Sequence, residues 1–188
     1  VIEAIRTLEP THHPVLGDGI LELTDIKSAP YPGASVVPEY CRATYDRRLL
    51  VGETKESVLA PIQELLDKLM AEDPQLKAKV SYAVGKEQCY TGNEITGERF
   101  FPGWLYDEKD EFVQDVKKEL EGMGYTPEIT QYNFCTNGSH YAGEAGIKTF
   151  GLGPSKENLA HTVNEYIEID QLTKVTDCYY GVMKALLK

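Results

Sequence analysis

Residues 146–172 read GIKTFGLGPSKENLAHTVNEYIEIDQL, and this stretch holds three kinds of element in succession. A short apolar run from Ile147 to Leu152 predicts a strand. Gly151, Gly153 and Pro154 then break regular backbone, and the loop that follows carries His161. Asp170 is a suitable N-cap for the last helix, in which Leu172, Val175, Tyr179, Val182 and Leu186 form an apolar stripe that can lie on a sheet. The order strand, glycine-rich loop, amphipathic helix points to an α/β fold.

Upstream, CTNGSHYAG (135–143) is a second glycine-punctuated loop, and a strand is expected near Glu128 to Asn133 before it. Asp107 or Asp110 opens a helix whose Phe112, Val116, Leu120 and Met123 share a face, with Gly124 as its C-terminal cap. Further back, Val80, Tyr82 and Val84 alternate as in a strand. Thr54 caps a helix to about Glu72, whose Val58, Ile62, Leu65, Leu66 and Leu69 recur at helical spacing ahead of Pro74. Residues 40–48 alternate, with Cys41, Ala43 and Tyr45 on one face and Arg42, Thr44 and Asp46 on the other, and GILELTDIKSA before them suits a strand or a short irregular edge. The Gly- and charge-rich stretch Tyr90 to Glu98 is the expected border between two domains, 1–95 and 96–188. The first should be an antiparallel sheet carrying one long helix, and the second a set of strands and two helices belonging to a larger sheet.

The net charge of -11 opposes binding to nucleic acid or to an anionic membrane, since both require a cationic surface. No apolar run is long enough to cross a bilayer and the opening VIEAIRTLEP does not resemble a signal peptide, so a cytoplasmic location is expected. Val1 opens the chain without an initiator methionine, which points to an upstream portion that has been removed. Cys41, Cys89, Cys135 and Cys178 are widely spaced without a CxxC pair and read as buried free thiols.

The segment quoted first resembles a pattern of the zinc-dependent amidohydrolase family of acetylornithine deacetylase, succinyl-diaminopimelate desuccinylase and glutamate carboxypeptidase: G-(I/P)-x-(T/V)-x-x-x-G-P, a spacer, then A-H-T-x-(D/N)-E-Y-(I/V). His161 stands at the position of a zinc ligand, where a neutral imidazole gives one nitrogen to the metal and its other ring nitrogen donates a hydrogen bond. Asn164 and Glu165 are candidates for outer hydrogen bonds. SVVPEYCRATYDRRLLVGET (35–54) resembles a strand pair of the family's lid domain, with Pro38 and Asp46-Arg47-Arg48 in register. In relatives an arginine at the third of those positions lies over the active site, which makes Arg48 a candidate ligand for a substrate carboxylate. Ser35 replaces the usual asparagine. CTNGSHYAG falls where relatives carry a T-D-G or T-S-D-G loop lining the substrate pocket, which makes Asn137 and Gly138 candidates there, with Asn137 in place of the usual acid. ERFFPGW (98–104) together with the other motifs is most similar to a subgroup linked to selenium metabolism.

The resemblance implies a fold made of part of a lid (dimerisation) α+β sandwich followed by the C-terminal segment of a catalytic α/β domain. It implies two zinc ions in the complete enzyme, a small N-acyl amino acid or peptide as substrate, and a homodimer. Relatives hold their metals with an H-x-D motif, a Glu-Glu pair, a further acid and the C-terminal histidine, and only the last is found here. The isolated chain is therefore expected to be the inactive half of a di-zinc amide hydrolase. Two alternatives stand beside this reading: a non-catalytic dimerisation or scaffold piece with a relict site, and a Cys–His hydrolase pairing Cys135 with His140 or His161.

Overall fold

A computed structural model describes residues 1–187. The chain forms two compact units, Val1–Gly103 and Trp104–Lys188. The first contains a short helix α1 (Ile2–Ile5), a small ribbon of β1 (His12–His13) and β2 (Gly17–Asp18), the strands β3 (Ile20–Ala29) and β4 (Tyr40–Arg48), the long helix α2 (Lys55–Glu72), and a hairpin of β5 (Val84–Gln88) and β6 (Glu94–Glu98). All three strand pairs are antiparallel.

β3 and β4 run in register from Ile20 opposite Arg48 to Ala29 opposite Tyr40, with a bulge between Leu23 and Asp25. The extra residue changes which face β3 presents on either side of the bulge, while β4 keeps its alternation. Leu21 and Tyr45, on the near side of the bulge, pack against Ile62 and Leu66 of α2 together with Ile5. Beyond the bulge the ribbon runs out into solvent, and Ile26 is 52% exposed.

The helix α2 starts where local chemistry requires. Thr54 Oγ1 accepts the Ser57 N–H while Ser57 Oγ accepts the Thr54 N–H, so two of the orphan donors at the helix start are satisfied reciprocally. Thr54→Ala is expected to lower the unfolding free energy by about 1 kcal/mol in urea denaturation. A change within error would mean that packing by Val58, Ile62 and Leu66 alone fixes this helix start.

One expectation for this unit needs correction. Val80 and Tyr82 are not in a strand: β5 begins only at Val84. The preceding residues are held by side chains instead, with the Tyr82 hydroxyl donating to the Lys55 carbonyl and its ring meeting Phe100 edge-on. The stretch Tyr90–Glu98 turns and returns as β6, Gly92 taking a left-handed φ of 85° at the tip.

The second unit contains α3 (Glu111–Gly122), α4 (Ile169–Leu186) and two single turns, Ser139–Glu144 and Glu157–Leu159. The end of α3 is a Schellman motif: Gly124 (φ 88°) donates to Glu121 O and Tyr125 N donates back to Leu120 O. Val116 and Leu120 of α3 pack against Ala185 of α4, with Cys178 and Val182 alongside. Gly181 lets the helices approach, since a Cβ there would lie 2.7 Å from Met123 Sδ. Glu168, not Asp170, is the N-cap of α4; the Asp170 carboxylate accepts from Lys174 one turn on, and that bond holds the Asp170 pKa below its ordinary value.

The predicted strands at 128–133 and 147–152 do not form ladders among the described residues. Both are fixed through side chains. Tyr106 and Tyr179 hydroxyls donate to the carbonyls of Ile147 and Leu152, Phe150 packs on Phe112, and Tyr132 stacks on Phe134. An apolar run reports a tendency to be buried, whereas a ladder also needs an adjacent strand to receive its N–H and C=O groups. The cysteines are free, but Cys41 and Cys135 are exposed rather than buried.

Candidate functional site

Each unit carries its own candidate residues. In the first, Asp46, Arg47 and Arg48 close β4, and neighbouring residues of a strand point to opposite faces. Arg47 follows Tyr45 inward: its guanidinium pairs with Glu53 at 2.5 Å, and the Glu53 side chain is only 9% exposed. Glu53 also accepts the Leu50 N–H through Oε2 (2.7 Å) and the Thr11 hydroxyl through Oε1. Arg48 points the other way, its side chain 38% exposed, and bonds Asp46 two residues back at 3.0 Å. The Arg–Arg pair thus divides into a buried anchor and an accessible cation. An accessible guanidinium held by one exposed carboxylate keeps donors free for a planar anion.

In the second unit, His161 sits where the sequence places it, on the loop between residues 147–152 and α4, and it is exposed. The backbone there is unusual. Ser155, His161 and Asn164 adopt φ of 77°, 60° and 62°. Asparagine and histidine enter this left-handed region more readily than most side chains, but any residue other than glycine there carries a cost that surrounding bonds must offset. Those bonds are present: the Glu165 carboxylate accepts the His161 N–H at 3.0 Å, Glu165 N donates to Thr162 O, and the Thr162 hydroxyl donates to Leu159 O at 2.8 Å. Further back, the Gln171 side chain accepts the Ser155 N–H, and Glu157 accepts the Asn133 N–H at 2.7 Å. The part Glu165 plays is therefore to fix the main chain of residue 161.

The other loop, around Asn137 and Gly138, is held from within. Thr136 takes the Gly138 N–H on its hydroxyl (3.1 Å) and the Ser139 N–H on its carbonyl. Gly138 and Ser139 are buried, Ser139 to 4%, while Asn137 is exposed. Cys135 Sγ lies 3.5 Å from Ser139 Oγ, and His140 Nδ1 pairs with Glu144 at 2.8 Å.

A cleft of about 280 Å³ opens between residues 155–159 and 166–171, with Lys156 and Glu168 as charged walls. Its walls include neither His161 nor the Asn137–Gly138 loop. Among the described residues no three His, Cys, Asp or Glu side chains gather as a metal-binding group. A catalytic zinc takes three protein ligands, and the described residues do not gather such a set by themselves. Among the described residues, no helix is long and apolar enough to cross a membrane.

The profile of Peptidase family M20/M25/M40 matches residues 18–185, and the chain belongs to that family. Over 151 residues it is 34% identical to the uncharacterized protein YgeY of Escherichia coli (strain K12), a match covering 80% of this chain and 36% of that protein. It is 33% identical over 128 residues to the N-formyl-4-amino-5-aminomethyl-2-methylpyrimidine deformylase of Halalkalibacterium halodurans, covering 66% of this chain and 28% of the deformylase. Identity to the succinyl-diaminopimelate desuccinylase of Hydrogenovibrio crunogenus is 25% over 154 residues, covering 81% of this chain and 35% of the desuccinylase. The chain thus spans about a third of the length of the curated relatives it matches. No solved structure matches it.

Sequence reasoning missed two contributors. The burial of Arg47 on Glu53 is one, although carrying the β4 alternation past Tyr45 assigns Arg47 to the inward face. Trp104, whose indole rests on Gly138, is the other. It had no local signal, because the contact joins residues distant in sequence.

Proposed function

We propose that this chain is the C-terminal part of a zinc-dependent hydrolase that cleaves the amide bond of a small N-acyl amino acid or peptide. The first unit belongs to the lid domain and the second to the catalytic domain. The observation that carries this reading is the family match across residues 18–185, which includes the histidine box. Its His161 is exposed on a left-handed turn that Glu165 fastens. Two of the relatives are named as a deformylase and a desuccinylase, which favours an acyl group on nitrogen as the bond broken. In this reading His161 supplies one zinc ligand and the remaining ligands come from outside the chain. Arg48 binds a substrate carboxylate, and the Asn137–Gly138 loop lines the substrate pocket. A cytoplasmic homodimer is part of the same proposal, and light scattering on the purified full-length protein tests its stoichiometry.

The direct test is hydrolysis by the full-length protein of a panel of N-acetyl and N-succinyl amino acids and dipeptides. Arg48→Ala should raise KM for carboxylate-bearing substrates about 30-fold, or roughly 2 kcal/mol, with a smaller change in kcat. This is near the lower end for a charge pair because the Arg48 side chain is partly open to water. Unchanged KM toward the whole panel would return Arg48 to the role of a strand-end charge. A second reading, a non-catalytic dimerisation or scaffold piece with a relict metal site, applies to a chain made without the rest of the enzyme. Lack of hydrolysis by the 188-residue chain beside an active full-length protein would support it.

A further inference from the structure

Trp104 is the sole tryptophan of the chain, and nothing in the site above gives it a task. Its indole lies directly on the main chain of Gly138. A Cβ placed at Gly138 would come within 2.6 Å of Cζ2, 2.7 Å of Cε2 and 2.8 Å of Nε1. Carbon atoms in ordinary contact stay roughly 3.5 to 4.0 Å apart, so this approach requires glycine.

The ring is itself braced from behind. Trp104 meets Tyr106 edge-on at 6.0 Å between centroids, and Tyr106 meets Phe112 in the same way at 4.8 Å. Phe112, 7% exposed, is fixed in α3. A line of three aromatic rings therefore runs from the helical core of the second unit to one backbone position. On the loop side, Thr136 holds the N–H groups of Gly138 and Ser139. The chain at Gly138 is thus clamped between its own turn and the indole, while Asn137 beside it is left exposed.

We propose that Trp104 is a positioning residue that sets the height of the Asn137–Gly138 backbone without touching the substrate. The role rests on the reading of that loop as part of the substrate pocket. Its physical basis is that a rigid ring in contact with backbone transmits its own position to the main chain. Displacements of well under 1 Å at a binding group alter affinity measurably.

The contact can be exchanged between the two residues, which allows a test that simple destabilisation does not mimic. Trp104→Phe withdraws the indole atoms nearest Gly138 and leaves a gap, Gly138→Ala fills space the indole occupies, and the double variant puts the new methyl into the gap. In the full-length protein, each single substitution should raise KM on the best substrate of the N-acyl amino acid and dipeptide panel about tenfold. The change in kcat should stay within about threefold, and the double variant should return KM to within about threefold of wild type. A fall in thermal midpoint with KM unchanged in both single variants would overturn the role and leave Trp104 as core packing. Equal and additive KM increases in the double variant would also overturn it, because the effect would not pass through the contact. Should Trp104→Phe alone fail to fold, Gly138→Ala and the double variant decide the question. A wild type that hydrolyses nothing on the panel would overturn the hydrolase reading and this role with it, an outcome distinct from an active wild type whose variants keep their KM.

Discussion

Glu53→Ala should lower the stability of the first unit by about 3 kcal/mol, a larger loss than any substitution of its exposed charges. Glu53 is 9% exposed, and its two oxygens serve Arg47, Leu50 N–H and Thr11. Removing it leaves the Arg47 guanidinium, 22% exposed, without its counter-charge, and leaves a backbone donor at Leu50 without its acceptor. Arg47 starts from a disadvantage, since its Nε is already buried without a partner. Glu53→Gln distinguishes the two contributions: its amide oxygen can still accept from Leu50, but its NH2 group faces the arginine donors, so most of the loss should persist. Arg48→Ala is the internal control, because its pair with the exposed Asp46 should contribute within about 0.5 kcal/mol. Urea denaturation followed by far-UV circular dichroism reads all three. Equal, small effects at Glu53 and Arg48 would show that the inward pair is solvated and not an anchor.

The same comparison shows what could be read in advance. β3, β4, α2 and α3 were legible because their signals are local: alternation across 40–48, a capping threonine, an apolar stripe, a glycine two residues past a helix end. The segments at 128–133 and 147–152 have the apolar content of strands, yet a ladder is a property of two segments. Neither finds a neighbour among the described residues, and tyrosine hydroxyls and aromatic stacking hold them instead. In the site, the histidine box was legible as a motif, and its place on the loop before α4 followed. Its left-handed backbone was not, since positive φ is uncommon for any residue but glycine, even for those such as His161 and Asn164 that adopt it more often than most. Arg47 and Arg48 look interchangeable as letters, and only strand parity separates the buried one from the open one. The contact of Trp104 with Gly138 had no trace in the local sequence at all.

His161→Ala should produce the largest functional loss and almost no loss of stability, and that contrast makes it informative. The side chain is exposed on its loop, and the bond that fastens the turn is made by the His161 main chain to Glu165, which alanine retains. Alanine tolerates φ near 60° somewhat less well than histidine, so the substitution adds only a small backbone cost. The thermal midpoint of the 188-residue chain should therefore stay within about 2 °C, corresponding to about 0.5 to 1 kcal/mol at most. In the full-length protein the expectation reverses. Losing a hydrogen-bond partner of a zinc ligand costs roughly 10- to 100-fold in metal affinity or activity, and losing the ligand itself should exceed about 100-fold. Bound zinc per chain, measured by atomic emission after dialysis, should fall together with hydrolysis. Glu165→Ala should lie between: it keeps the imidazole but frees the turn that presents it, so zinc should be held more weakly without being lost. If His161→Ala keeps its zinc and its rate, the ligand assignment is wrong, and the strained turn at 161 serves the loop alone. If instead the 188-residue chain unfolds several degrees earlier, the imidazole contributes packing that its exposure does not reveal.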